Sequence, residues 1–140
     1  MYKEVNVKQT IANVKDKLKE FKMIHRLTGA HSYPELIDGF IEINTICSDN
    51  EVGRTALLKR NEIIESINKL SSMDYISLMY VRFIKKRRNK FEYYMGKWGY
   101  SYKEFYDMSD RAMLEFAEVY RNGELIAFDE TDILTLLNDF

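Results

Sequence analysis

A chain of 140 residues, 46% hydrophobic and 31% charged, has the make-up of an ordinary soluble globular protein, built as one compact domain or two small ones. Its single cysteine, Cys47, excludes an internal disulfide, and no apolar run approaches the roughly 20 residues of a membrane span. The net charge of -1 conceals alternating blocks: residues 1–34 carry +4, residues 35–66 carry -4, residues 67–100 carry +6 and residues 101–140 carry -7. Local fields of this kind, rather than the total, steer polyanions.

The first predicted element is a helix from Val7 to Arg26. Its apolar positions Val7, Ile11, Val14, Leu18, Phe21 and Ile24 or His25 alternate steps of four and three, the seam of a helix docked on its own domain or on a second copy. Residues 28–53 are punctuated by Gly29, Pro34 and Gly39, and Phe40, Ile41, Ile43 and Ile46 suit a short strand or helix within a linker. Helical spacing resumes from Asn50 to Leu70, with Ala56, Leu57, Ile63, Ile64, Ile67 and Leu70 on one face. Ser71 or Ser72 caps the next helix, which turns Met73, Ile76, Tyr80, Phe83 and Ile84 inward and ends in a run of cations. A short helix from Lys90 to Lys97 follows, with Tyr93 as its most exposed aromatic. Gly99-Tyr100-Ser101 then makes a tight turn, and a long helix runs from Tyr102 to Arg121, closed by Gly123. Its expected inward face is Phe105, Met108, Ala112, Phe116, Ala117 and Tyr120. A tail with the amphipathic run Ile133-Leu134-Leu136-Leu137 ends the sequence.

A short helix joined through a glycine turn to a longer, serine-capped one is the spacing of a helix-turn-helix. Lys85, Lys86, Arg87, Arg88 and Lys90 precede it, close enough together to hold one stretch of phosphate backbone. Ser101 would open the reading helix and offer its backbone N–H groups to a phosphate. Tyr102, Lys103 and Tyr106 would then contact bases or groove, with Arg111 further along. The expected partner is double-stranded DNA. A different class of reading competes with it. The acidic outer face Glu104, Asp107 and Asp110 repels phosphate and suits a protein partner such as RNA polymerase or a host factor.

The run Arg111-Ala112-Met113-Leu114-Glu115-Phe116-Ala117-Glu118-Val119-Tyr120, followed by Gly123-Glu124-Leu125, resembles the ending of the ArpU family of phage and prophage transcriptional regulators. Gly99-Tyr100-Ser101 is similar to the turn that precedes that ending, Lys19 to Gly29 to the family's leading helix, and Ile63 to Met79 to the helix before its DNA-binding part. The resemblance is strong over residues 60–128 and looser before them. It implies control of late, lysis or autolysin genes through a domain similar to the one with which sigma factors read promoters. The acidic residues of the helix after the turn depart from the family, in which that helix usually carries several basic ones.

Together these readings predict an all-α protein: an N-terminal helix plus a C-terminal helix-turn-helix bundle. Residues 1–55 would form a helical arm and linker, residues 56–128 the DNA-binding domain, and residues 129–140 an acidic, amphipathic tail. If the chain forms a homodimer, the leading seam with Leu18 and Phe21 is the first candidate device and the C-terminal run Ile133 to Leu137 the second. No metal or cofactor is expected, since His25, His31 and Cys47 have no ligand spacing and read as surface imidazoles and a buried thiol. No enzyme is expected either, for lack of a phosphate-cradling loop or a nucleophile beside a base. The start, MYKEVNVKQT, lacks the order of a signal peptide, so the expected address is the cytoplasm.

Overall fold

A computed structural model of the chain describes residues 4–30, 32–85, 96 and 98–129. Among them the protein is mostly helical. Helix α1 (Val7–Lys19) begins at Asn6, whose side chain accepts from the Gln9 amide at 2.9 Å. Helix α2 (Phe21–Leu27) follows at once. The single long helix expected here is therefore broken at Glu20, and the reason lies in tertiary packing. Val14 and Leu18 of α1 are buried in the part of the core shared with the C-terminal helix, whereas α2 packs on the central helix and buries Phe21 and His25 there. A continuous seam faces one direction, and these two partners lie in different ones. Val7, expected in that seam, is 49% exposed.

Residues 28–50 resolve into a loop carrying a small hairpin, β1 (Leu36–Ile37) and β2 (Phe40–Ile41), a departure from an all-helical fold. Asp38 and Gly39 make its turn with φ of 53° and 86°. Two left-handed residues in succession match the right-handed twist of the paired strands. Asn68 pins the hairpin by holding both backbone groups of Ile41, accepting from its amide at 2.8 Å and donating to its carbonyl at 2.9 Å. Of the apolar residues expected to make an element here, Ile41 alone is buried; Phe40, Ile43 and Ile46 are exposed.

Helix α3 (Glu51–Asn68) starts at Asn50, which accepts from the Gly53 amide at 2.7 Å. Helix α4 (Met73–Met79) is capped by Ser72 rather than Ser71 and continues into a π-helical turn, Tyr80–Ile84. The Lys85 amide donates to the Tyr80 carbonyl at 2.9 Å, a five-residue step that widens the helix, and the four consecutive residues Leu78, Met79, Tyr80 and Val81 are all buried. Met73 is 57% exposed, against expectation, because its thioether lies across Gly39 rather than in the core; a Cβ on that glycine would sit 2.8 Å from the sulfur. Helix α5 (Tyr102–Val119) tightens into a 3-10 turn, Tyr120–Gly123. It stops two residues short of the expected Arg121, where Arg121 and Asn122 turn left-handed.

One continuous core joins these elements. Val14, Leu18 and Phe21 pack with Ile63, Ile64 and Ile67 of α3, Ile76, Leu78 and Met79 of α4, and Phe105, Ala112, Met113, Phe116 and Ala117 of α5. Each buried side chain of this size contributes about 1.5–3 kcal/mol by leaving water. Leu18 and Phe21 of the leading seam are fully buried within the chain itself, so of the two partners expected for that seam it takes its own domain. After the 3-10 turn the backbone runs back along α1. Leu125 accepts from Asn13, the Ala127 amide donates to Thr10, and Val5 and Phe128 form an antiparallel bridge.

Arg60 and His25 are the two basic side chains among the polar residues buried in this structure. Arg60 of α3 is fully buried, donating to the Asn44 carbonyl at 3.0 Å and to Asn61 Oδ1. Its guanidinium also meets His25 Nδ1 at 3.3 Å. An arginine has no acceptor, so Nδ1 must accept and His25 must be neutral. His25 is not the surface imidazole expected: it is buried and stacks on Tyr33 with ring centroids 4.3 Å apart. Cys47 is only partly buried, and His31 lies outside the described residues.

Burial first, and the Arg60 charge second, hold the His25 pKa below its ordinary value of 6.5. The unfolded chain therefore binds a proton that the folded one refuses. Stability is expected to be flat above pH about 6.5 and to fall as the pH drops from there toward the folded pKa, by at most ~1.4 kcal/mol per pH unit. Melting temperatures of the wild type and of His25→Gln, followed between pH 8 and pH 5 (roughly the window in which an imidazole titrates), check this. The slope below neutrality should vanish in the variant; parallel curves would show that His25 is not its source.

Candidate nucleic-acid interface

The expected site residues centre on the N-terminal half of α5. Ser101 and Glu104 form a reciprocal cap: Ser101 Oγ accepts from the Glu104 amide at 3.2 Å, and Glu104 Oε1 accepts from the Ser101 amide at 3.1 Å. Gly99, with φ 72°, supplies the left-handed turn before it. Closing two N-terminal amides this way fixes where the helix begins. It also occupies amide groups that a phosphate could otherwise have used.

Phe105, Ser109, Ala112 and Met113 anchor one side of α5 in the core, which leaves the other side open. Tyr102 is 62% exposed and Tyr106 is 44% exposed, and their rings stack with centroids 6.4 Å apart. Lys103 is exposed beside them. These three expected contact residues thus share one face. Arg111 does not join them. It lines a separate depression with Ser72, Asp74, Tyr100, Glu104 and Asp107, half a helical rotation from Tyr102. Glu104, Asp107 and Asp110 are exposed, so carboxylates outnumber cations on the open surface of these turns.

Lys85 is exposed and pairs with Glu35 of the hairpin loop at 2.9 Å. The rest of the expected phosphate grip, Lys86, Arg87, Arg88 and Lys90, lies outside the described residues, as do Tyr93 and most of the short helix from Lys90 to Lys97. Arg82, absent from the expected site, does reach it. Its guanidinium lies 5.8 Å from the Tyr106 ring centroid and 5.1 Å from that of Phe83, and it hydrogen-bonds Ser109 Oγ. Burial lowers its pKa, against the opposing pull of Tyr106 and Asp110. Arg82 therefore ties the end of α4 to α5 and backs the exposed tyrosine pair. Its place just before the basic run was the signal that could have brought it into the site.

Among the described residues no group of His, Cys, Asp and Glu is placed to hold a metal ion, and no helix is long and apolar enough to cross a membrane.

Fold and site together define a mostly helical protein that presents the open first turns of a capped helix. No family model matches the chain, and no solved structure matches it. It is 28% identical to a protein of Enterococcus hirae named "Putative autolysin regulatory protein ArpU", over 91% of this chain and 98% of that one. The match supports membership in the ArpU family, the family that the residues around α5 resemble.

Proposed function

We propose that the chain is a transcriptional regulator that binds double-stranded DNA, with the first turns of α5 laid in the groove and the basic run 85–90 on the phosphate backbone. The observation that carries this reading is the open face of Tyr102, Lys103 and Tyr106 on a helix whose start is fixed by a reciprocal cap. A recognition helix needs that combination, since its N-terminal residues must reach base edges from a rigid support. The net +6 of residues 67–100 adds the field that attracts a polyanion. The name of the Enterococcus hirae relative supports a regulatory role, and autolysin genes are the targets it favours. In this reading α4, the basic segment and α5 act as a helix-turn-helix of the promoter-reading kind.

Replacing Lys86, Arg87 and Arg88 together by Gln is expected to lower affinity for all duplex sequences alike. The log–log salt dependence should become shallower by about 2.7, at ~0.9 per lost phosphate contact. Selection of bound sequences from random duplexes identifies the target, and titrations at several salt concentrations read the slope. A mobility shift that the triple variant leaves unchanged overturns the assignment.

The exposed carboxylates Glu104, Asp107 and Asp110 favour a second reading, in which the same face of α5 docks on a basic surface of RNA polymerase or a host factor. Capture of such a partner after nuclease treatment, with no retention on heparin, separates it from the first.

A further inference from the structure

We propose that the outward face of α3 is a self-complementary seam on which a second copy of this chain docks antiparallel. The inward side of α3 is spent on the core through Ala56, Ile63, Ile64 and Ile67. Its outward side carries Glu51, Thr55 and Lys59 at four-residue spacing, all exposed. Val52 and Leu58, 58% and 73% exposed, flank that row on either side. Beyond Val52, the side chains of Met23 and Leu27 from α2 line an open groove of about 450 Å³ together with Val52, Thr55 and Lys59. Met23 and Leu27 are themselves 59% and 47% exposed. Singly exposed apolar residues are ordinary, whereas four around one groove and one helix face make a patch that asks for a partner.

Charge identifies the partner. Glu51 and Lys59 stand eight residues apart, about 12 Å along the helix, too far to pair with each other. Neither makes an ion pair within the chain among the described residues. Thr55 lies midway between them. Rows at i, i+4 of two helices line up when the helices cross at about -50°, the commonest packing class in globular proteins. Laid antiparallel about a two-fold axis at Thr55, the row Glu51-Thr55-Lys59 of one copy meets Lys59-Thr55-Glu51 of the other. Both unpaired charges then find opposite partners, twice over by symmetry. The small Thr55 at the crossing point lets the backbones approach. A partner of uniform charge would satisfy only one end of this row, so the second copy is the occupant that fits. The inference does not depend on the DNA-binding reading, and its test contains no DNA.

Sedimentation equilibrium of the full chain is expected to show a monomer–dimer equilibrium. Lys59→Glu sets four carboxylates against one another across the seam and should weaken the dimer roughly tenfold or more. Leu58→Asp, which alters neither end of the row, should weaken it as well. Both positions are exposed, so thermal melting at a concentration where the wild type is monomeric should change little. The double variant Glu51→Lys/Lys59→Glu rebuilds the complementary row in reverse and should restore association relative to Lys59→Glu alone. In a Cys47→Ser background, Thr55→Cys sits on the axis and should form a disulfide-linked dimer under mild oxidation. A chain that stays monomeric at every concentration, a dimer indifferent to the single substitutions, or no cross-link at position 55 would each overturn the proposal.

Discussion

Replacing Arg60 by alanine is expected to destabilise the protein by about 3 kcal/mol or more. The side chain is fully buried, so its removal opens a void that the surrounding α2, α3 and loop residues fill only in part. Asn61 Oδ1 loses its donor, and the Asn44 carbonyl keeps only the Asn61 amide; a typical lost hydrogen bond costs about 0.5–1.5 kcal/mol, or about 1.5–3 kcal/mol where one partner is charged. Among the described residues no carboxylate pairs with this guanidinium; Glu42 and Cys47 act on it at a distance, and burial lowers its pKa. Neutral dipoles hold the charge, which makes the site dependent on each of them. Arg60→Met separates the contributions, since it keeps the apolar stem and removes the fork. It should recover the packing part of the loss and retain the hydrogen-bonding part. Urea denaturation of the three proteins measures both. If alanine is tolerated within about 0.5 kcal/mol, the range of an ordinary surface change, then the buried placement of Arg60 is wrong.

The largest loss is expected from Phe116→Ala, at about 3–5 kcal/mol. Phe116 is fully buried at the junction of α1 and α5, with its ring stacked on Tyr120 at a centroid distance of 5.4 Å. Its loss opens a void in the core cluster to which Val14 and Leu18 of α1 also belong. Since domains of this size are stable by only about 5–15 kcal/mol, the variant should show a much earlier urea midpoint with an unchanged slope. Ile46→Ala supplies the contrast. Ile46 is 71% exposed, and its truncation should stay within about 0.5 kcal/mol. Equal effects at the two positions would mean that the core is not where the structure puts it.

Elements governed by local chemistry could be read from the sequence nearly to the residue. Asn50 announces α3 and Ser101 announces α5, because a side-chain acceptor before an apolar-periodic run satisfies amides that the helix leaves free. The resemblance around α5 was likewise legible in consecutive residues. Features decided by distant partners were not. The break at Glu20 is invisible in an unbroken four-three pattern, since it arises from α1 and α2 packing on different helices. The hairpin at residues 36–41 is too short for alternation to register, although Asp38-Gly39 was a turn signal in plain view.

Arg60 and His25 escaped for a different reason. Charge argues for the surface, yet Arg60 falls on the same helical face as Ala56, Ile63 and Ile67, and that spacing could have placed it inside; His25 stands at a position of the leading seam, which its imidazole alone does not reveal. Of the candidate site, Tyr102, Lys103 and Tyr106 were placed together from sequence, and the structure keeps them so. Arg111, expected further along the helix, lines a separate depression half a helical rotation from Tyr102.

The return of residues 121–129 along α1 bears on the order in which this protein can form. Asn13 finds its partner at Leu125 and Thr10 at Ala127, separations of 112 and 117 residues. On a ribosome α1 emerges well before α5, the helix it packs on. Val14 and Leu18 must therefore wait, uncovered on that side, until α5 has been made. Nascent chains halted before α5 should bind hydrophobic dyes and holding chaperones, while those released past residue 129 should not.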